Sequence, residues 1–205
     1  MFLKYKVFSV FFVVFSVAGC MSMPISTMYK MSQFSPFDME PKEVRVAVRT
    51  DEQIQVRNGA VKISMSYRSD GTNTLPAIHE EHNFNVQVQQ AEDADLVEIL
   101  LDDIEENERV TILKLSEGDA QNMKNLLQLA KQYKAVEAKG TGEFAITTNN
   151  DCFENINKFE SLDVDVFFKT SDQEGYMLFL EDVDIIEQAK DNDIDLKQTN
   201  KCEFN

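Results

Sequence analysis

Alternation of apolar and polar residues is the feature that most limits what this chain can fold into. Between Ala60 and Asp70-Gly71, apolar side chains occupy every second position and polar side chains lie between them. Successive side chains of a strand point to opposite faces, so this pattern predicts a strand with one face in a core and the other in water. The apolar positions are Val61, Ile63, Met65 and Tyr67, and the polar positions are Lys62, Ser64, Ser66 and Arg68.

The dipeptide Asn58-Gly59 lies between a short run at residues 54–57 and this strand. Asn-Gly readily provides the two positive φ angles that a tight two-residue turn requires, which makes it a strong hairpin signal. The sequence therefore predicts that residues 54–57 pair with the strand from Ala60 onward.

Further alternating segments occur at residues 44–49, 84–88, 109–115, 143–147, 162–169 and 176–180, and the last two are predicted to form a second hairpin. One helix is predicted over about residues 117–134, because Ser116 and Asp119 have capping-box spacing and an apolar stripe follows. Residues 96–104 fit either a short helix or a buried strand.

Strands do not alternate with helices, so the predicted fold class is mainly β (α+β). We expect an antiparallel β-sandwich or curved sheet of about seven or eight strands with one covering α-helix.

The N-terminus has the organisation of a secretory signal peptide. Lys4 and Lys6 precede an apolar run, from residue 7 to 17, that is too short to span a bilayer. Small residues then lead into a cysteine in Val17-Ala18-Gly19-Cys20, which resembles the lipobox of bacterial lipoproteins. The resemblance implies that residues 1–19 are cleaved and that Cys20 is the site of lipid attachment; an ordinary signal peptide is the alternative.

The resemblance also implies a location. In Gram-negative lipoproteins an aspartate after the cysteine tends to retain the protein at the inner membrane, and here Met21 follows Cys20. The implied location is the outer membrane, and we expect the domain to face the periplasm. Residues 44–49 and the terminal hairpin are similar to those of uncharacterised proteobacterial lipoproteins, which assigns no functional site.

Residues 20–42 are predicted to be the lipidated N-terminus and tether, and residues 43–205 a single β-rich globular domain. The tether is unusually apolar, so part of it is expected to dock on the domain; binding a partner is the alternative. Its apolar residues are Met21, Met23, Ile25, Met28, Tyr29, Met31, Phe34 and Phe37.

Net charge excludes some partners. Without Lys4 and Lys6, 18 of the 20 basic residues remain against 36 acidic ones, which leaves a mature charge near −18. Nucleic-acid binding needs neutralised phosphates, and this balance argues against it. It argues equally against a protein that lies flat on anionic lipid.

Three cysteines occur in the whole chain. If Cys20 carries lipid, Cys152 and Cys202 remain, and outside the inner membrane the environment is oxidising. A disulfide between Cys152 and Cys202 is therefore expected, with two free buried thiols as the alternative.

Motifs for metal or cofactor binding are incomplete, and no metal or cofactor is predicted. In His79-Glu80-Glu81-His82 the second histidine comes one residue too early for a zinc-protease helix, so solvated loop histidines are expected. Residues 191–195 imitate the start of a calcium loop, but Leu196 and Cys202 stand where an EF-hand needs Gly and Glu. An irregular calcium site among these acids stays open.

Arg45, Arg49 and Arg57 are the candidate interaction face, a cationic stripe in an acidic protein; pairing with the protein's own carboxylates is the alternative. No catalytic residue is predicted, since a nucleophile elbow is missing and only two histidines are present.

We therefore expect a lipid-anchored envelope protein, not an enzyme, that binds or scaffolds another envelope component. A carrier of lipid or another apolar ligand in a β-sheet cavity is the first alternative, and a hydrolase using carboxylates is the second.

Overall fold

The computed structural model describes residues 36–89, 96–191 and Cys202. Within these residues the chain forms ten strands and three α-helices, with single 3₁₀ turns at Pro36–Asp38, Asn150–Cys152 and Ile156–Lys158. In chain order the elements are β1 (Arg45–Asp51), β2 (Gln55–Val56), β3 (Val61–Ser69), β4 (Ile78–Asn85), β5 (Gln87–Val88), α1 (Glu98–Leu101), β6 (Glu108–Lys114), α2 (Glu117–Ala135), β7 (Gly140–Thr148), β8 (Phe153–Glu154), β9 (Asp163–Lys169), β10 (Tyr176–Asp184) and α3 (Ile185–Asp191).

The strands form three antiparallel sheets. The largest has the order β10-β9-β1-β6-β5, the second β4-β3-β7, and β2 pairs with β8 in a small third sheet. The predicted mainly β, antiparallel fold with a covering helix is confirmed. Seven strands have seven or more residues, and β2, β5 and β8 have two each.

Strand β1 lies in the middle of the five-stranded sheet and is buried on both faces. Val46 and Val48 point into the main core, together with the inward residues of β3 and the apolar stripe of α2. On the opposite face Ala47 joins a second, small core. The other buried members of that core are Leu100, Ile112 and Phe167. Helix α1 therefore covers part of the outer face of the sheet. Of the two structures predicted for residues 96–104, the short helix is the one that forms.

Helix α2 is the predicted covering helix. The Ser116 hydroxyl accepts a hydrogen bond from the Asp119 N–H at 3.0 Å, which caps the first turn. The predicted apolar stripe is buried throughout; its members are Met123, Leu126, Leu127, Ala130 and Tyr133. Near the end of the helix the Tyr133 hydroxyl donates to the Pro76 carbonyl at 2.8 Å, which ties α2 to the loop before β4.

The hairpin predicted at Asn58-Gly59 is wrong. The Arg57 carbonyl accepts from the Ala60 N–H at 3.1 Å, but only Gly59 has a positive φ, of 79°. One positive φ at the third residue is typical of a type II turn, which splays the flanking strands. The segment before the turn consequently pairs with β8, while the Gly59 N–H donates to the Val86 carbonyl at 2.8 Å.

The second predicted hairpin, β9–β10, is present, and α3 follows it directly. Helix α3 was not predicted from the sequence, although a helix-capping signal stands at its start. Asp184 and Glu187 have capping-box spacing, and the Asp184 carboxylate accepts from the Ile186 and Glu187 N–H groups at 2.9 and 3.1 Å. Ile185, Ile186 and Ala189 are buried beneath the helix.

The predicted disulfide is present. Cys152, which is fully buried, and Cys202 are joined by a bond of 2.04 Å across a sequence separation of 50 residues. None of the helices in the described part is long and apolar enough to cross a membrane. The predicted signal peptide, Cys20, most of the tether and residues 192–196 lie outside the described residues.

Breaking the disulfide is expected to lower the free energy of unfolding. Cys202→Ser returns conformational freedom to a loop of 50 residues in the unfolded chain, which corresponds to about 3–4 kcal/mol. Urea unfolding followed by circular dichroism measures the change. The matched control is Cys20→Ser, which removes the third cysteine and should leave the midpoint unchanged; an equal loss in both variants would contradict the assigned pairing.

Candidate functional site

A half-open groove of about 580 Å³ lies between the C-terminal half of α2, the β3–β7 strand pair and the 3₁₀ turn at Pro36–Asp38. Its walls are mainly apolar, and polar side chains stand around its mouth. The apolar side chains are Phe37, Met65, Tyr67, Leu126, Leu127, Ala130, Ala138 and Phe144. The charged ones are Lys134, Glu137, Lys139 and Glu143.

The groove exists because β7 has glycines where side chains would point inward. Gly142 lies opposite Tyr67 and Gly140 opposite Ser69 in the β3–β7 register, at positions that face the core. A Cβ on Gly140 would lie 2.3 Å from the Tyr67 hydroxyl oxygen, so the Tyr67 side chain fills that space. A Cβ on Gly142 would meet nothing closer than the Ser66 carbonyl oxygen at 3.6 Å. The floor of the groove is therefore open at Gly142.

Two aromatic contacts shape the walls. The Lys134 ammonium lies 4.7 Å from the centre of the Phe37 ring, a cation–π contact that holds the 3₁₀ turn against α2. The Tyr67 and Tyr133 rings meet edge to face, with their centres 6.1 Å apart. Burial, followed by the neighbouring Tyr133, raises the pKa of Tyr67 above its ordinary value, so its phenol stays neutral. The inner wall consequently carries no charge.

The three arginines of the candidate interaction face are not brought together. Arg45 and Arg49 share the outer face of β1, whereas Arg57 follows β2 in another sheet. The Arg49 side chain is only 11% exposed: its Nε donates to Asp165 Oδ2 at 3.0 Å, and its Cζ lies 5.5 Å from the centre of the Phe167 ring. This buried pair leaves Arg49 little surface for a partner.

Arg45 and Arg57 are also engaged within the chain. The Arg45 guanidinium donates to the Lys42 and Val44 carbonyls at 2.8 and 2.9 Å. Arg57 pairs with Glu154 at 3.0 Å, and both of these side chains are about half exposed. Arg49 and Arg57 therefore pair with carboxylates of the protein itself, which was the alternative interpretation of the three arginines.

The four residues His79-Glu80-Glu81-His82 lie in strand β4, not in a loop as expected. Because residues three apart face opposite sides of a strand, the two imidazoles cannot bind the same metal ion. His82 stacks on Phe84 and approaches Glu80 at 3.3 Å. In the described part of the chain, no three His, Cys, Asp or Glu residues lie together in a way that could hold a metal ion.

Acidic side chains gather where β9 and β10 pair. Burial raises the pKa of Asp163, and the carboxylates of Asp184, Asp182 and Asp165 raise it further. Asp163 is nevertheless solvent-exposed, and Asp165 is held by Arg49 and by the Asp182 N–H at 2.8 Å. These contacts fix the strand pair and its bulge, which is the structural role of the cluster.

Asp184 titrates in the opposite direction. Burial raises the pKa of its carboxyl, but hydrogen bonds from the Glu187 N–H, the Ser161 hydroxyl and the Leu162 and Ile186 N–H groups outweigh it, and the net pKa is lowered. Oδ1 accepts from the two α3 amides and from Leu162, and Oδ2 accepts from Ser161, so the carboxylate joins the start of α3 to the residues before β9.

No protein-family model, no curated protein and no solved structure matches this chain significantly.

Asp184→Asn is expected to change the acid limb of the stability profile. A carboxyl with a lowered folded-state pKa contributes stability that is present above its unfolded pKa, about 4, and is lost as the pH falls through the folded value. The variant should be less stable than the wild type at pH 7, and the difference should shrink below about pH 4.

Urea midpoints measured from pH 7 down to pH 3 test this, in roughly half-unit steps around the carboxyl pKa. Glu174→Gln, exposed in the loop between β9 and β10, is the control and should run parallel to the wild type. If the Asp184→Asn curve is also parallel, the carboxylate does not hold α3 as described.

Proposed function

We propose that this protein is a lipid-anchored envelope protein that binds, without catalysing a reaction, the acyl chain of an envelope lipid in the groove between α2 and β7. The observation that carries the proposal is the open apolar floor at Gly142, bounded by Tyr67, Leu126 and Phe144. The missing side chain at Gly142 leaves apolar surface exposed in the groove, and a larger residue at this position would cover it.

The size and chemistry of the groove fit an acyl chain. Its volume of about 580 Å³ lies within the 300–1,000 Å³ typical of small-molecule sites. Each methylene removed from water contributes about 0.8 kcal/mol of binding free energy. A linear acyl chain could lie along β7, where the groove is open at Gly142. The lysines and glutamates at the mouth would keep the polar end of an amphipathic ligand in water.

The anchor belongs to the same proposal. A lipid on Cys20 would hold the groove within reach of a bilayer, which is the source of acyl chains. The Cys152–Cys202 disulfide fits an oxidising compartment such as the periplasm. Both features support an outer-membrane location facing the periplasm.

The proposed role is binding without catalysis, because none of the three carboxylic acids with a shifted pKa lines the groove. Asp163 is exposed to solvent, and Asp172 accepts a hydrogen bond from the Lys169 ammonium. Asp184 accepts hydrogen bonds from α3, Ser161 and Leu162 with its two oxygens.

Scaffolding of an envelope protein is the second candidate, and helix α1 favours it. Val97, Ile99 and Leu101 are 42%, 38% and 41% exposed, a high proportion of exposed apolar side chains for one short helix. The exposed residues next to them in sequence are acidic, which fits a partner with an apolar surface and basic neighbours. They are Glu98, Asp102, Asp103, Glu105 and Glu106.

Filling the groove should weaken acyl-chain binding. Gly142→Leu places a side chain on the open floor, where no atom blocks its Cβ. The expected result is a loss of affinity of about tenfold or more for cis-parinaric acid, a fluorescent fatty acid, since about two lost methylene contacts exceed the 1.4 kcal/mol of a tenfold change. The chain would be produced from residue 20 onward with Cys20→Ser, so that no lipid is attached.

Thr141→Leu is the matched control for this experiment. It adds the same side chain at the neighbouring position of β7, on the outer face of the sheet, and should leave the affinity unchanged. Urea midpoints close to the wild-type value confirm that both variants fold. Equal binding in all three proteins would reject the acyl-chain proposal.

The scaffold candidate has a separate test. Chemical cross-linking in intact cells, followed by purification, should recover one recurrent envelope protein that is lost in Ile99→Ser and retained in Gly142→Leu. Loss of the partner only in Gly142→Leu would instead place protein binding at the groove, and recovery of no partner would remove this candidate.

A further inference from the structure

The described chain begins at the wall of the groove. Residues Pro36–Asp38 form a 3₁₀ turn against α2, and the Phe37 ring lines the groove beneath the Lys134 ammonium. Immediately afterwards Met39 is buried in the core, and the Glu40 N–H donates to the Thr170 carbonyl at 3.1 Å. The chain is therefore fixed at residues 37–40, so the described part of the chain starts at the groove.

The preceding residues are chemically suited to this groove. Between Cys20 and Pro36 the sequence has a single charged residue, Lys30, and a high proportion of methionine. Methionine is unbranched and flexible, so it fills irregular apolar space well. The apolar residues of this stretch, which we term the N-terminal segment (residues 21–35), are Met21, Met23, Ile25, Met28, Tyr29, Met31 and Phe34.

In the mature chain expected after cleavage at Cys20, the other stretches outside the described residues do not fit. Residues 90–95 read Gln-Ala-Glu-Asp-Ala-Asp, residues 192–201 have two apolar side chains among ten, and residues 203–205 read Glu-Phe-Asn. The second of these stretches also ends at Cys202, which is tied to Cys152 and not to the groove. On chemistry and on position, the N-terminal segment is the part of this chain suited to cover the apolar walls.

We propose that the N-terminal segment docks in the groove of its own domain and that an acyl chain must displace it to bind. The inference rests on the proposed function, because it adds a competing occupant to the same site. The apparent affinity for an external ligand is then reduced by the fraction of molecules in which the segment is docked. Docking would thus regulate the site.

Docking also sets the distance between the domain and the lipid on Cys20. Fifteen residues span at most about 50 Å when fully extended, so release of the segment lets the domain move that far from the bilayer. A docked segment holds the groove close to the membrane. Ligand binding and domain reach are consequently coupled, because both depend on the same contact.

Photo-cross-linking on the full chain in its own membranes tests the docking. The photoreactive residue p-benzoyl-phenylalanine replaces Met31, and the cross-linked peptides are identified by mass spectrometry. The expected product joins position 31 to residues 126–144 of the same molecule, at the gel mobility of a monomer. Combining the probe with Gly142→Leu should reduce the yield about tenfold, whereas combining it with Thr141→Leu should not.

Products that contain only lipid or another protein, or no product, would overturn the inference. Hydrogen exchange provides a second measurement that needs no change at the groove. In a chain with Met28→Ser, Met31→Ser and Phe34→Ser, amides of β7 should exchange faster than in the wild type; equal exchange would also overturn it.

Docking and ligand binding fail separately. Parinarate binding that depends on Gly142, without an internal cross-link, would leave the acyl-chain site standing and reject the docked segment. An internal cross-link, together with no parinarate binding even in the chain with Met28→Ser, Met31→Ser and Phe34→Ser, would establish the segment as the occupant of the groove and reject the acyl-chain site.

Discussion

Burial of β1 on both faces is the constraint on which the rest of the structure depends. Val46 and Val48 must be covered by the second sheet and α2, while Ala47 must be covered from the other side by α1. Strand β1 also pairs on both edges, with β6 along its whole length and with β9 from Arg45 to Arg49, so it is an interior strand of the sheet. An ion pair can form on its outer face only because Asp165 of β9 lies beside Arg49. The two layers, the covering helices α1 and α2 and the buried salt bridge therefore follow from one central strand.

The groove is the place where this covering is incomplete. The second sheet has three strands against five in the first, and α2 with the turn at Pro36–Asp38 must close the remaining part of the core. Side chains from β3 reach across, but β7 offers only Gly140 and Gly142 at the end nearest α2. Tyr67 leans over the first glycine and leaves the second uncovered. A site for an apolar occupant thus arises from missing side chains and not from added chemistry.

Local patterns in the sequence predicted the local elements. Alternation identified β3, β9 and β10, and the cap at Ser116 identified the start of α2. What failed depended on partners far along the chain: residues 55–56 pair with residues 153–154, and the turn at Asn58-Gly59 leads from one sheet to another. The place of the groove was also beyond prediction, because it requires the register that places Gly142 opposite Tyr67. The cap at Asp184 was within reach of the same reasoning that found α2.

The pairing of β1 with β9 has a consequence for how the chain is made. Val48 lies opposite Val166, so the partner of one edge of β1 is synthesised more than a hundred residues later. Until then the ladder between β1 and β6 has an uncovered apolar strand at its rim, the arrangement that most readily recruits a strand from another chain. Pairing over such a separation is also slow, because a long loop must close first. A growing chain thus exposes the edge of β1 until its last hairpin has been synthesised.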